Sequence, residues 1–274
     1  MDRKEIARET VRIMQEGYYE YNGRRIEIAE AQRKSENGSA LITPEQGAAY
    51  VGERRIEPET RQALLTVANE ATVKAILSAA GSGAERIAVL NFASAKNPGG
   101  GFLNGAMAQE ESLAASGGLY GTLLRNEGYY KANRACLSMI YTDHAIYSPD
   151  VVFFRDEKFA LLGEPVTASV LTLPAVNYGQ VLLKGEDAAL ALRAMKNRMR
   201  LSLAIFAHRG DRNLILGAYG CGVFRNDPVK VAAWWRELIE EEGYGASFES
   251  IHFAVLDPSR DGSCIRAFEN EFGR

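Results

Sequence analysis

Apolar residues recur at three- and four-residue steps over positions 3–15 (RKEIARETVRIMQ), which predicts an amphipathic N-terminal helix. Asn22-Gly23 suits the positive φ angles of a two-residue turn, so a hairpin is expected around it. The stretch 29–52 mixes polar residues with Gly and Pro and yields no firm element. From about residue 60 short apolar runs alternate with amphipathic segments. Strands are predicted at 64–68, 87–92, 151–154, 168–173, 214–217 and 251–256. Helices are predicted from an N-cap at Asn69 through Ala80, over 186–208, and over 228–242 with Trp234 and Trp235. The run IAVLNF at 87–92 is largely apolar, as in a strand covered on both faces. Strands alternating with helices indicate an α/β layered domain with a mainly parallel sheet. With no internal repeat and no linker, one domain is expected: residues 1–60 as an extension packed on a core of residues 61–274.

Composition narrows the function classes. The chain has 274 residues, 46% apolar and 24% charged, enough for a substantial core. Its formal net charge of −3 gives no basic field to attract nucleic acid, so no DNA partner is expected. A polyanionic ligand would have to be held by local backbone dipoles and a few well-placed cations. Cys136, Cys221 and Cys264 lack CxxC spacing and clustered histidines, so neither a disulfide framework nor a metal site is expected. The N-terminus lacks the continuous apolar run of a signal peptide or membrane span, which suggests a cytoplasmic protein with no membrane partner.

Two loops carry unusual sequence. The first follows IAVLNF and runs Ala93-Ser94-Ala95-Lys96-Asn97-Pro98-Gly99-Gly100-Gly101, then seven residues, then Gln109-Glu110-Glu111. Three glycines let backbone amides approach a ligand that side chains would block, although a flexible turn would read the same way. The second is LGAYGCGVFRNDP at 216–228, in which Asp227-Pro228 is a favoured helix start. Strand, glycine-rich loop and helix together aim free N–H groups at an anion. Neither GK[ST] nor GxGxxG spacing is present. Cys221, between two glycines, reads better as a small hydrophobe than as a nucleophile, because no histidine is near in sequence.

Several other residues have unremarkable readings. Glu110 and Glu111 alone would be an ordinary acidic first turn. Tyr120, Tyr129 and Tyr130 read as packing, and His144, His208 and His252 as structural or solvent-facing. Arg198 and Arg200 read as a solvated helix face.

The run NFASAKNPGGG, seven residues and QEE resembles the signature of poly(ADP-ribose) glycohydrolases, especially the compact bacterial type. LGAYGCGVFRNDP looks like that family's second phosphate-binding loop. The resemblance implies a three-layer macrodomain-like fold, with a mixed, mainly parallel sheet between helices. It implies that Asn97, Gly99, Gly100, Gly101, Gln109, Gly220, Cys221, Gly222, Val223 and Phe224 bind substrate, with Phe224 ordering the ribose. Glu111 matches the catalytic acid/base, and Glu110 the residue that positions the ribose. The expected substrate is poly(ADP-ribose) or an ADP-ribosylated protein, cleaved from the chain end to release ADP-ribose without a cofactor. A mono-ADP-ribosyl hydrolase and a non-catalytic ADP-ribose reader are the alternatives.

Such a bond breaks through an oxocarbenium-like transition state. Neighbouring helical residues diverge by about 100°, so Glu110 and Glu111 cannot easily flank one sugar from opposite faces. One must move the proton while the other grips hydroxyls, and the residues alone do not decide which. If Gln109 opens a helix, its dipole favours an ionised Glu111, whereas burial and substrate phosphates favour the acid.

Overall fold

The computed structural model describes residues 2–53 and 62–273. The chain opens with α1 (Arg3–Glu16), the hairpin strands β1 (Tyr18–Tyr21) and β2 (Arg24–Glu27), then α2 (Ala29–Gly38), β3 (Ala40–Ile42) and α3 (Pro44–Gly52). Next come β4 (Leu64–Ala68), α4 (Thr72–Gly81), β5 (Ile87–Phe92), α5 (Gln109–Ser116), α6 (Leu119–Leu124) and α7 (Glu127–Ala135). They are followed by β6 (Ala145–Arg155), β7 (Leu161–Leu173), α8 (Tyr178–Leu183), α9 (Ala188–Arg209) and β8 (Asn213–Leu216). The chain ends with α10 (Pro228–Arg236), β9 (Ser250–Ala254) and α11 (Ser263–Phe272). Among the described residues no helix is long and apolar enough to cross a membrane.

One seven-stranded sheet organises the molecule, in the order β3-β6-β7-β5-β8-β9-β4. β7, β5, β8, β9 and β4 run parallel, while β6 is antiparallel to both β7 and β3. The apolar run of β5 divides between two cores. Ala88 and Leu90 pack with Met195, Phe206, Trp235 and Phe268 from α9, α10 and α11. Ile87 and Val89 pack with Ile76, Leu113, Leu119 and Tyr129 from α4 to α7. A strand buried on both faces has no polar side to alternate with, which explains its continuous apolar sequence.

The N-terminal elements belong closely to this frame. α1 packs Ile6 and Ala7 on Phe102, Ala114 and Ala115, and Thr10 Oγ1 donates to Ala115 O at 2.7 Å. β3 is an edge strand of the main sheet, paired to β6 at Ala40–Ile42, and was not assigned from sequence. The expected boundary between extension and core, at 60/61, lies outside the described residues. The hairpin turns at Asn22-Gly23, with φ 49° and 74°.

Two expectations are corrected. Asn69 does not cap α4, whose N-cap is Ala71. Its side chain instead pairs with the Asp257 backbone, donating to O at 3.2 Å and accepting from N at 3.0 Å, and so ties the end of β4 to the loop after β9. Arg198 is not on a solvated face: it is 1% exposed. Its guanidinium binds the Asp143 carboxylate at 2.8 Å and the Ile140 and Pro174 carbonyls at 2.9 Å. A planar fork of donors satisfies all three at once, so the charge can be buried. Arg200 forks onto Glu242, with both contacts at 2.6 Å.

Candidate active site

Both glycine-rich loops leave the C-terminal ends of adjacent parallel strands, β5 and β8, where open α/β sheets place their ligands. The first loop ends in α5, and the two glutamates of its first turn take separate places. Glu111 reaches back over the loop. Its Oε1 accepts from Gly101 N–H at 2.9 Å and its Oε2 from Ala108 N–H at 3.0 Å. Ala108 stands at the N-cap without a side-chain oxygen, so the glutamate makes only the return half of a capping box. Gly99 and Gly100 both have positive φ, 65° and 59°. A Cβ on Gly100 would collide with Glu111 Oε1, so glycine is required there on two grounds.

Glu110 is buried at 3% exposure. Its Oε2 accepts from Ser94 N–H at 2.7 Å and its Oε1 from Asn91 Nδ2 at 3.3 Å, and Gly99 N–H also binds it. Burial pushes its carboxyl up to about 8, against those hydrogen bonds and with help from the charge of Glu111. Asn91 also donates to Thr172 Oγ1 at 3.1 Å, and its own Oδ1 has no hydrogen-bond partner among the described residues. A cavity of about 580 Å³ opens here, lined by Ser94, Asn97, Gly100, Gly101, Glu111 and Tyr120 among others. Of the acidic pair only Glu111 lines it.

The second loop is braced from below. Gly220 has φ 73°, and a Cβ on it would lie 2.6 Å from Asn226 Nδ2 and 2.7 Å from Ala175 Cβ. Asn226 Nδ2 donates to the Val176 and Gly220 carbonyls at 2.8 and 3.0 Å, and Gly179 N–H donates to Phe224 O at 3.0 Å. Asp227 caps α10 through Val229 N–H at 3.0 Å. Within this frame the N–H groups of Gly222, Val223 and Phe224 have no protein acceptor among the described residues, and Gly222 and Val223 are exposed. Three consecutive unsatisfied amides on one loop are what an anion requires.

The chain matches the microbial-type PARG catalytic domain over residues 7–156. It belongs to this family. Poly(ADP-ribose) glycohydrolase from Thermomonospora curvata is 37% identical, covers 98% of this chain and 99% of its own, and superposes with a TM-score of 0.94. The same enzyme bound to the inhibitor ADP-HPD gives 0.91 at 37% identity, with the same shares covered. Poly(ADP-ribose) glycohydrolase from Deinococcus radiodurans in complex with ADP-ribose gives 0.83 at 42% identity, covering 88% of this chain and 97% of its own. Curated proteins give no match. The fold is the family's macrodomain-like α/β arrangement, a mixed, mainly parallel sheet between layers of helices.

Within that family fold the expected residues divide. Asn97, Gly100, Gly101 and Glu111 meet around the cavity. Gly222 and Val223 are exposed on the second loop, and Phe224 is half-buried, 6.2 Å from the ring of Tyr141. Gln109, expected among the binding residues, commits its amide to the sheet, accepting from Phe92 N–H and donating to Leu90 O, both at 2.9 Å. Glu110 likewise spends its oxygens on the protein. Cys221 gives its N–H to Ala218 O at 3.1 Å, and its thiol faces Cys264. The contact with the Cys264 thiol, together with burial, pushes Cys221 up, which suits an inert thiol. Asn91, Ser94 and Asn226 were missed. Asn91 carries a signal in the sequence, as the lone amide in an apolar strand, and Tyr120, whose sequence reading is packing, lines the cavity.

Proposed function

We propose that the chain hydrolyses the ribose–ribose O-glycosidic bonds of poly(ADP-ribose), releasing ADP-ribose from the chain end, with Glu111 as general acid/base. The observation that carries the choice of Glu111 is its position on the cavity wall, while Glu110 lies beneath it with its oxygens taken. Glu111, carrying a proton taken up from solvent, donates it to the departing 2′-oxygen as the C1–O bond breaks. The resulting carboxylate then takes a proton from the water that attacks the ribosyl cation. The Gly101 and Ala108 amides hold that carboxylate in place as it forms. Glu110 fastens the Ser94 and Gly99 amides, and so shapes the loop that encloses the ribose. The free amides of the second loop take the diphosphate at no cost in repacking, because they have no acceptor among the described residues.

The test is digestion of labelled polymer beside a mono-ADP-ribosylated protein, with products identified. Free ADP-ribose from the polymer, appearing from the first turnovers, supports the assignment. Intact polymer with cleaved mono-ADP-ribosylated protein would move the chain to the second hydrolase class.

A further inference from the structure

A polymer substrate continues beyond the bond being cut, and the structure has a second cavity where that continuation would run. It measures about 700 Å³ and lies between α1, α2 and α6, lined by Val11, Met14, Arg33, Tyr120, Leu124 and Arg125 among others. Tyr120 lines this cavity and the Glu111 cavity, so one ring forms a wall common to both. That ring is fixed edge-on against Phe102, with centroids 4.9 Å apart. Leu124, on the second cavity, is 53% exposed.

The charges around the cleft are also arranged unevenly. Its acidic side chains are already used: Glu16 pairs with Arg12 at 2.8 Å and Glu36 with Arg125 at 3.0 Å. Lys4, Arg8 and Arg33 are exposed and enter no ion pair among the described residues. Lys4, Arg8, Val11 and Gln15 follow one another at helical spacing and share one face of α1. The upper end of that stripe meets the first loop, where a Cβ on Gly105 would touch Lys4 Cγ at 3.4 Å. The lower end, Val11 and Gln15, lines the second cavity. In a chain of net charge −3 these unpaired cations form a local path beside the reaction cavity.

We propose that this cleft, with Lys4, Arg8 and Arg33 at its edges and Tyr120, Met14 and Leu124 as its apolar surface, binds the next ADP-ribosyl unit of the polymer. The proposal rests on the polymer-hydrolase reading and adds to it a subsite for the departing chain. Its ligand is a purine nucleotide diphosphate linked through ribose: the ring covers the apolar surface, and the diphosphate lies between the cations. The bond at Glu111 then sits between two held units, and the chain stays aligned while one is removed.

The experiment compares kcat/KM for an ADP-ribose tetramer with that for ADP-ribose bearing a simple aryl leaving group at the distal ribose C1. The parent, the double variant Lys4→Glu/Arg8→Glu and Arg33→Glu are assayed. The parent should favour the tetramer, and each variant should lower the tetramer-to-aryl ratio about tenfold, a change that added salt imitates in the parent. These side chains are exposed, so folding should be unaffected. A ratio that stays at the parental value in both variants overturns the proposal. If the parent cleaves the aryl substrate but shows no preference for the tetramer, the subsite is wrong and the hydrolase reading stands. If it cleaves neither, the hydrolase reading fails, and the subsite with it.

Discussion

Glu111 Oε1 occupies the place beside Gly100 where any residue other than glycine would carry its Cβ. Gly100→Ala would therefore displace the carboxylate and strain a backbone held at φ 59°. A misplacement of about 1 Å can cost ~10²-fold in rate, so activity should fall by that order while the protein stays folded. Steady-state rates read beside thermal unfolding check this. Parental turnover in a folded Gly100→Ala protein would show that the contact has no bearing on catalysis.

Glu111→Gln preserves shape and removes the proton. Hydrolysis should fall ~10²–10⁴-fold or more, with ADP-ribose affinity within a few-fold of the parent. Glu110→Gln should behave differently, because the buried carboxyl holds the Ser94 and Gly99 amides. Its first effect should be lower stability and weaker ligand binding. Calorimetric titration of both variants separates the two roles. Matching profiles would contradict the division of labour.

Two glycines of the second loop should respond in opposite ways. Gly220→Ala meets Asn226 and Ala175 at a positive φ and should cost about 1–3 kcal/mol of stability. Gly222 has open space where its Cβ would stand, so Gly222→Val should fold normally yet weaken ADP-ribose binding by roughly 1–3 kcal/mol by crowding the free amides. Arg225→Ala should cost less than either, since its side chain is exposed and screened. Loss of affinity in Arg225→Ala alone would mean that charge rather than the amides holds the diphosphate.

Far from this site, Asp211 is buried and accepts from Tyr147 Oη at 2.9 and 3.0 Å. Burial pushes its carboxyl up from 3.8 to about 7, and Glu110 likewise from 4.5 to about 8. A raised carboxyl binds its proton more tightly when folded. The stability it contributes is therefore complete below the unfolded value and lost as pH rises through the folded one. The melting temperature should thus decline from about pH 5 to pH 8, each group adding up to ~1.4 kcal/mol per pH unit within its window. Asp211→Asn should flatten the part of the decline that ends near 7. An identical pH profile in parent and variant would show that Asp211 does not titrate there.

What the sequence displayed was periodicity and the two loops; what it concealed was pairing at a distance. β5 was legible because burial on both faces removes polar alternation, and Asp227-Pro228 because capping is local. β3 was not, since three residues at a sheet edge carry no period, and its partners on β6 are distant in the chain: Ala40 pairs with Tyr147, Leu41 with Ile146 and Ile42 with Ala145. Arg198 looked solvated because a long helix can bury a charge only if partners arrive from elsewhere, here Asp143 and two carbonyls. At the site, adjacency along the chain could not distinguish Glu110 from Glu111. The distinction comes from Asn91 and Ser94, which lie 19 and 16 residues upstream.

Gln109 makes the two hydrogen bonds to β5 that a neighbouring strand would make, one to Phe92 N–H and one to Leu90 O. The first turn of α5 is thereby registered against a strand buried on both faces, independently of the covalent path between them. Residues 93–108 are in turn tied back to that turn by the two glutamates, at Ser94, Gly101 and Ala108, so a shift of the strand reaches the loop through side chains rather than through the intervening chain.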